Sequence, residues 1–315
     1  MREGPNLKSN TNLLILGKTG FVGQNAEQYF STKNQFVVKS LSRKDVDLEE
    51  KKSLQLFLET NQIDIILNCA GYVGGIHKNI NEPYELITRN LNVSLNIISM
   101  CVEKKIKLIN FGSSCMYPTS AQMPLNVSSL NEGKLDETSK YFARSKLTTQ
   151  AILEAAKAEL GMDWVTVIPA TIYGPHDNFS AKDGHVIPSL IRKFHVAKTG
   201  SDKTVKLFGS GNTKREFIFI TDFLEALYLV MVLNLNHKVI NIGTSHEVRI
   251  LELAQKLSNI FKFPGQIVTD ESLPDGNTRR LLDSSEIYSL GWKPKIDLDL
   301  GLDSTVNWFR SSLLE

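Results

Sequence analysis

The chain has 315 residues, of which 42% are hydrophobic and 22% charged, a composition typical of a globular protein with a full core and a smaller lobe. Its 36 basic and 34 acidic residues give a net charge of +2, which excludes a broad polyanion-binding surface and restricts any anion site to a local cluster. The three cysteines, an odd number without metal-ligand spacing, argue against a disulfide framework and a zinc site. A polar N-terminus without the apolar core of a signal peptide, and the lack of an apolar run long enough to span a membrane, predict a cytoplasmic protein.

Short apolar runs alternate with helical patterns through the N-terminal half of the chain. This alternation predicts an α/β fold with a doubly wound, Rossmann-type parallel sheet, because helices must cover both faces of such a sheet. The predicted strands cover residues 13–16, 35–41, 63–68, 107–111 and 164–169, and the predicted helices cover residues 90–103 and about 141–160.

The pattern becomes less regular after Tyr173, where residues 174–214 surround one amphipathic stretch at 186–197. Further helices are predicted at 250–261 and 298–309, with one more core strand at 239–243. Because no repeat or low-complexity linker is present, we predict a smaller α/β lobe built from insertions into the C-terminal half. The predicted cofactor-binding domain comprises residues 11–173 and 216–245, and the predicted substrate-binding lobe comprises residues 174–215 and 246–315.

Three glycines, Gly17, Gly20 and Gly23, follow the first predicted strand and precede a helix. Glycines at this spacing permit a tight turn and the close approach of a pyrophosphate, which binds at the helix N-terminus. By itself the motif fits a plain tight turn equally well, but its position after the first strand of an alternating chain favours dinucleotide binding. The predicted contacts come from Gly17, Thr19, Gly20, Phe21, Val22 and Gly23.

The end of the second predicted strand indicates which dinucleotide is bound. An acidic residue there holds the ribose 2′-hydroxyl of NAD, whereas an Arg accommodates the 2′-phosphate of NADP. Arg43 is the first charged residue after the strand and Lys18 lies in the glycine loop, so the sequence favours NADP(H). The alternative for Arg43 is a solvated surface residue, and Asp47 lies either near the adenine or at a helix cap.

Several short motifs place polar side chains where parallel sheets bind ligands. The motif GSSCMYP at 112–118 follows a predicted strand, and the carboxyl ends of such strands border the ligand crevice. A helix that begins near Tyr141 with YFARSK carries Lys146. Further along the chain come YGPHDNF at 173–179, HVIP at 185–188 and GSGNTKREF at 209–217.

Together these motifs resemble those of the extended short-chain dehydrogenase/reductases. The runs GSSCMYP, YGPHDNF, HVIPSLIRKFH, GSGNTKREF and PDGNTRRLLD resemble in particular the GDP-L-fucose synthases, and the likeness extends from residue 13 to about residue 309. Members of that family epimerise GDP-4-keto-6-deoxy-D-mannose at C3 and C5 and then reduce C4 with NADPH. The resemblance implies an oxidoreductase and isomerase acting on this sugar or on a related 3,6-dideoxy or heptose GDP-4-keto sugar.

The resemblance also assigns catalytic roles. It implies that Ser113 hydrogen-bonds the substrate C4 oxygen, that Lys146 binds the nicotinamide ribose and lowers the pKa of the catalytic acid, and that Cys115 and His185 are the base and acid of epimerisation. Protons beside a ketone are acidic enough for a thiolate to remove, and a His can return a proton from the opposite face. Taken singly, Cys115 fits a small buried apolar residue better and His185 a hydrogen-bonding residue at a helix start.

Binding residues follow from the same resemblance. The implied cofactor contacts also include Leu48, Ala70, Lys146, Pro169 and His185. The implied substrate contacts are Ser114, Asn178, Lys193, Phe208, Arg215 and Arg280, with the cations near the diphosphate and the aromatic ring beside the base. Ordinary surface charge is the alternative for the cations. The predicted helices at 90–103 and 142–160 resemble the family's dimer-forming pair, so the resemblance implies a homodimer. It implies no metal, no nucleic-acid partner and no membrane partner.

One position departs from the family pattern Tyr-x-x-x-Lys. Counting back four residues from Lys146 gives Phe142, and Tyr141 is turned away from that face by about 100°. Because Phe has no proton for the C4 alkoxide, we expect hydride transfer to be badly impaired, whereas epimerisation by Cys115 and His185 need not be. Three interpretations fit: an engineered substitution that traps a complex, which the otherwise intact motifs favour; a natural change for which Tyr141 or a water compensates; or a binding protein or sensor.

Overall fold

The computed structural model describes residues 7–180, 184–272 and 277–313. Its strands are β1 (Thr11–Leu16), β2 (Phe36–Leu41), β3 (Ile65–Asn68), β4 (Lys107–Phe111), β5 (Trp164–Pro169), β6 (Thr171–Tyr173), β7 (Thr204–Phe208), β8 (Lys214–Phe219), β9 (Lys238–Ile242), β10 (Glu247–Arg249), β11 (Gln266–Asp270) and β12 (Arg279–Arg280). Its helices are α1 (Phe21–Ser31), α2 (Lys51–Thr60), α3 (Ile76–Asn81), α4 (Pro83–Lys104), α5 (Lys140–Leu160), α6 (Val186–Thr199), α7 (Ile220–Val232), α8 (Ile250–Phe261), α9 (Ser285–Ser289) and α10 (Leu298–Ser311). None of these described helices is long and apolar enough to cross a membrane.

Six parallel strands form the central sheet in the order β2-β1-β3-β4-β5-β9. Helices α2, α4 and α5 pack on one face of this sheet, and α1 and α7 pack on the other. Because both faces are covered, β3 is buried along its whole length, which explains its continuous apolar run. This architecture confirms the predicted Rossmann-type fold. The winding of the sheet reverses between β1 and β3, and such switch points are where doubly wound sheets bind ligands.

The remaining strands form smaller sheets beside the carboxyl edge of the large one. Strand β8 pairs with β6, β10 and β12, and β7 pairs with β11. The buried carboxylate of Glu216 on β8 accepts hydrogen bonds from the backbone N–H groups of Thr244, Ser245 and Leu282. It thereby ties the segment after β9 and the segment after β12 to β8, which carries Arg215.

Strand pairing divides the chain differently from the predicted domains at two short segments. Strand β6 and the β8 residues 216–219 were assigned to the cofactor-binding domain, but they pair within the smaller sheet. A short apolar strand carries no mark in the sequence of the sheet it joins. The division into two domains stays a prediction.

Helix α4 begins earlier than predicted, at Pro83 instead of residue 90. Proline is well tolerated at the first helical position, because its missing N–H would have no intrahelical partner there. The extension matters for the site, since the added turns carry Arg89 towards the cleft beside the glycine loop.

Candidate active site

The glycine loop joins β1 to α1 as the sequence predicts. Gly17 has a φ of +85°, and a β-carbon there would lie 2.9 Å from the Cα and N atoms of Ala70. A β-carbon on Gly23 would lie 2.1 Å from the carbonyl oxygen of Gly17, so this residue permits α1 to pack tightly on the loop. Gly20 caps α1 without a side-chain hydrogen bond, and the first turn contains no acidic residue. The N–H groups and positive dipole end of α1 therefore suit dinucleotide phosphates.

A cleft of about 270 Å³, here called the cofactor cleft, opens beside this loop. Its wall contains seven of the predicted cofactor residues: Gly17, Thr19, Gly20, Arg43, Asp47, Leu48 and Ala70. Phe21, Val22 and Gly23 form the first turn of α1, and Pro169 ends β5. The wall also includes Tyr72 and Arg89, which sequence reasoning missed because no local pattern connects the end of β3 with the start of α4.

Each of three cations at the cofactor cleft is paired with a carboxylate. Arg43 lies 3.3 Å from Glu49, and Arg89 lies 2.6 Å from the same carboxylate. Lys18 lies 3.3 Å from Asp45. The Arg43 side chain is 66% exposed, so its ion pairs are screened by water and hold it only weakly.

A second group of predicted residues comes together where β4 meets α5. Ser113 opens a 3₁₀ turn, and its hydroxyl accepts a hydrogen bond from the Cys115 N–H at 3.4 Å. Helix α5 packs against this turn. The Lys146 ammonium lies 5.7 Å from the centre of the Phe142 ring and near enough to Cys115 for the two charges to interact.

Burial controls the protonation of these groups. It lowers the pKa of the Lys146 ammonium to about 8, against an opposing effect of Cys115. Burial raises the pKa of the Cys115 thiol, while Arg280, a hydrogen bond with Ser113 and Lys146 act in the other direction. His185 is exposed to solvent by its surface area, yet the protein around its imidazole lowers the pKa of that ring by desolvation. Cys115 therefore depends on its cationic neighbours to form a thiolate.

The structure places the aromatic residues at the start of α5 on different sides of the helix. Phe142 faces Lys146, whereas Tyr141 is 37% exposed and lies 5.2 Å from the Lys140 ammonium. The fully described helix α5 thus presents a benzyl ring without a hydroxyl on the side that carries Lys146.

A larger space of about 360 Å³, here called the substrate cavity, is lined by α3, the residues just before α5, the start of α6 and parts of the smaller sheets. Predicted residues in its wall are His185, Lys193, Phe208, Arg215 and Arg280. Ser113, Ser114 and Cys115 belong to the 3₁₀ turn after β4 and are not part of this wall, although Cys115 is near enough to Arg280 for their charges to interact. The side-chain oxygen of Asn178 accepts a hydrogen bond from the Ser180 N–H.

One end of the substrate cavity is aromatic and cationic. The Lys193 ammonium lies 4.2 Å from the centre of the Phe208 ring and donates a hydrogen bond to the Lys206 carbonyl. His77 on α3 meets the same ring edge-on, with 5.5 Å between the ring centres. A planar base and its phosphate would find a stacking surface and a positive charge here.

The substrate cavity also contains buried polar atoms that have no hydrogen-bond partner among the described residues. They are Asn79 Oδ1, Ser139 Oγ and Arg280 Nε. The Arg280 guanidinium lies 3.4 Å from Asp136, a buried carboxylate that also accepts hydrogen bonds from Thr138. Buried polar groups are nearly always satisfied, so atoms of this kind in a cavity wall suit a water or a polar ligand that supplies both donors and acceptors.

Comparison with known proteins agrees with this geometry. The NAD dependent epimerase/dehydratase family matches residues 13–243. The chain is 34% identical to the GDP-L-fucose synthase of Escherichia coli (strain K12), over 96% of this chain and 97% of that protein. It is similar to a crystal structure of a GDP-6-OMe-4-keto-L-xylo-heptose reductase from C. jejuni, with a TM-score of 0.92, 26% identity and coverage of 98% and 99% of the two chains. A GDP-L-fucose synthetase from Naegleria fowleri bound to NADP gives a TM-score of 0.87 and 26% identity, over 100% and 97% of the chains.

Proposed function

The chain belongs to the NAD dependent epimerase/dehydratase family, and we propose that it is an NADPH-dependent epimerase/reductase of a GDP-linked 4-keto-6-deoxy sugar. The observation that carries this proposal is the junction of Ser113, Cys115 and Lys146 close to Arg280, which lines a cavity that also offers an aromatic ring and further cations. Such a cavity suits a sugar nucleotide, with the sugar at the reactive end and the base at the aromatic end.

Two observations support NADP(H) as the cofactor. Arg43 lies at the end of β2 in the cofactor cleft, and its weak ion pairs leave it available to a 2′-phosphate. A structure similar to this chain holds NADP. The bound cofactor would supply hydride to C4 of the sugar, and its phosphates would lie against the N-terminus of α1.

Epimerisation would use a proton on each face of the sugar. Cys115, as a thiolate stabilised by Arg280 and Lys146, would remove a proton from the carbon beside the ketone, and His185 would return one from the other side. Ser113 would donate a hydrogen bond to the C4 oxygen and so stabilise the enolate that forms between these two steps.

Reduction requires a final proton on the C4 oxygen, and here the site is incomplete. Phe142 occupies the face of α5 next to Lys146 and carries no acidic hydrogen. We therefore propose that this chain epimerises its substrate but reduces it slowly. The same observation favours one second candidate, a protein that binds NADP(H) and a GDP-sugar without catalysis.

The substrate and the assembly belong to the same proposal. GDP-4-keto-6-deoxymannose is the leading substrate, and a 3,6-dideoxy or heptose relative is the alternative, since a similar structure is a GDP-heptose reductase. A homodimer through α4 and α5 is supported by their packing together and by the exposed apolar side chains of Tyr84, Leu95 and Leu160. A cytoplasmic location stays a prediction.

Incorporation of solvent deuterium separates the enzyme from the binding protein. We expect the chain in D₂O, with GDP-4-keto-6-deoxymannose, to introduce deuterium at C3 or C5, and Cys115→Ala to abolish this. Cys101→Ala is the matched control, because Cys101 is also buried but packs in the core between α4 and the sheet. A protein that exchanges no hydrogen while binding the nucleotide sugar would contradict the proposed activity.

A further inference from the structure

Ser139 precedes the first residue of α5 and yet does not cap the helix. Serine at this position usually accepts a hydrogen bond from a backbone N–H in the first turn. Here the side chain makes no such bond, and its Oγ is buried without a hydrogen-bond partner in the described part of the chain. The hydroxyl therefore contributes little to the helix and is left for another partner.

Ser139, just before α5, lies on the side of the helix that carries Phe142 and Lys146. Residues 139, 142 and 146 are spaced by three and four, so Ser139, Phe142 and Lys146 share one face of the helix. Helical side chains lean towards the N-terminus, so the Phe142 ring reaches back towards the turn that Ser139 begins. Ser139 also lines the substrate cavity.

The neighbours of Ser139 identify its end of the cavity. Its N–H donates to the carbonyl of Asp136, whose carboxylate pairs with Arg280 at 3.4 Å. Arg280 is near enough to Cys115 to oppose the burial effect on the pKa of that thiol. Through Asp136 and Arg280, Ser139 is therefore connected to the part of the cavity nearest Cys115, whereas Lys193 and Phe208 form a separate contact in the cavity wall.

We propose that Ser139 is a substrate-binding residue whose hydroxyl forms a hydrogen bond with the sugar of the nucleotide sugar, one helical turn from Phe142. This inference rests on the proposed function. A hydroxyl both donates and accepts, and a sugar presents hydroxyl and carbonyl oxygens that match it. The buried Nε–H of Arg280 provides a second donor at the same end.

Titration calorimetry of the full chain with NADP⁺ tests this with two probes, GDP and the stable GDP-mannose. Ser139→Ala should weaken the affinity for GDP-mannose about fivefold, which is the effect of one neutral hydrogen bond, and should leave the affinity for GDP unchanged. The melting temperature of the ligand-free chain should not fall, because no helix cap is lost and the hydroxyl that is removed has no hydrogen-bond partner among the described residues. Thr148→Ala is the control on the same helix, since Thr148 is exposed and points away from Lys146.

Three outcomes would overturn the inference. If the Ser139→Ala variant changes the affinity for neither probe, or changes both affinities equally, the hydroxyl does not contact the sugar. A lower melting temperature with unchanged affinities would make Ser139 a helix cap. Wild-type chain that binds neither GDP nor GDP-mannose would overturn the proposed function together with this inference, before any variant is compared.

Discussion

In the cofactor cleft Arg43 and Arg89 share the carboxylate of Glu49, whereas in the substrate cavity Arg280 Nε and Ser139 Oγ are buried without hydrogen-bond partners among the described residues. In the first arrangement Arg43 is exposed and its ion pair is screened by water, whereas Arg89 donates two hydrogen bonds to Glu49 from a partly buried position. The second is desolvated, and an unsatisfied buried polar group costs about 1–3 kcal/mol until a ligand satisfies it.

The difference teaches how the two sites gain affinity. At the cofactor cleft, a phosphate competes with a weakly held carboxylate for Arg43, so selectivity depends on one exposed charge. At the substrate cavity, the proposed ligand would satisfy atoms that have no hydrogen-bond partner among the described residues. Loss of the charged donor Arg280 in the cavity should therefore have a larger effect than loss of the exposed Arg43 at the cleft, and each should affect its own ligand only.

The largest effect is expected for Arg280→Met. Removing the guanidinium deletes a charged donor and leaves the buried Asp136 carboxylate without its cation, so GDP-mannose affinity should fall about 100-fold. Titration with NADPH should give the wild-type affinity within twofold. Arg280→Lys retains the charge but not the planar donor group, and should recover only part of the loss. An equal loss of NADPH affinity would mean that the two sites are not separate.

A smaller effect is expected for Arg43→Ala. The affinity for NADPH should fall about tenfold and that for NADH should not change, because only NADPH carries the 2′-phosphate that Arg43 would meet. Lys44→Ala, at the exposed neighbouring position, is the matched control. Fluorescence titration with both dinucleotides measures the ratio. If Arg43→Ala weakens the affinity for NADH as much as the affinity for NADPH, Arg43 does not select the 2′-phosphate.

The fold and the cofactor cleft were predictable because their signals are local. Apolar runs marked β1 and β3, and the glycine spacing marked the turn before α1. Helix α7 was not predicted, because its sequence is apolar on nearly all sides and shows no amphipathic period.

Much of the substrate cavity could not be predicted from local patterns. His77 and Asn79 reach it from α3, and Ser139 reaches it from the start of α5. These residues are far apart in sequence, and a single His, Asn or Ser carries no signal until the fold brings it beside Phe208 or Arg280. Resemblance to a family identified the cations, since it compares whole motifs and not single residues.

The most direct test of the central claim, an intact site that lacks one proton donor, is NADPH oxidation with GDP-4-keto-6-deoxymannose by the wild-type chain and Phe142→Tyr. General acid catalysis contributes about 10²- to 10⁴-fold, so we predict that Phe142→Tyr oxidises NADPH at least about 100 times faster. The restored rate should fall above about pH 8, where Lys146 loses its proton. The account is contradicted if the wild-type chain already oxidises NADPH as fast as the Phe142→Tyr variant and if Tyr141→Phe abolishes that rate.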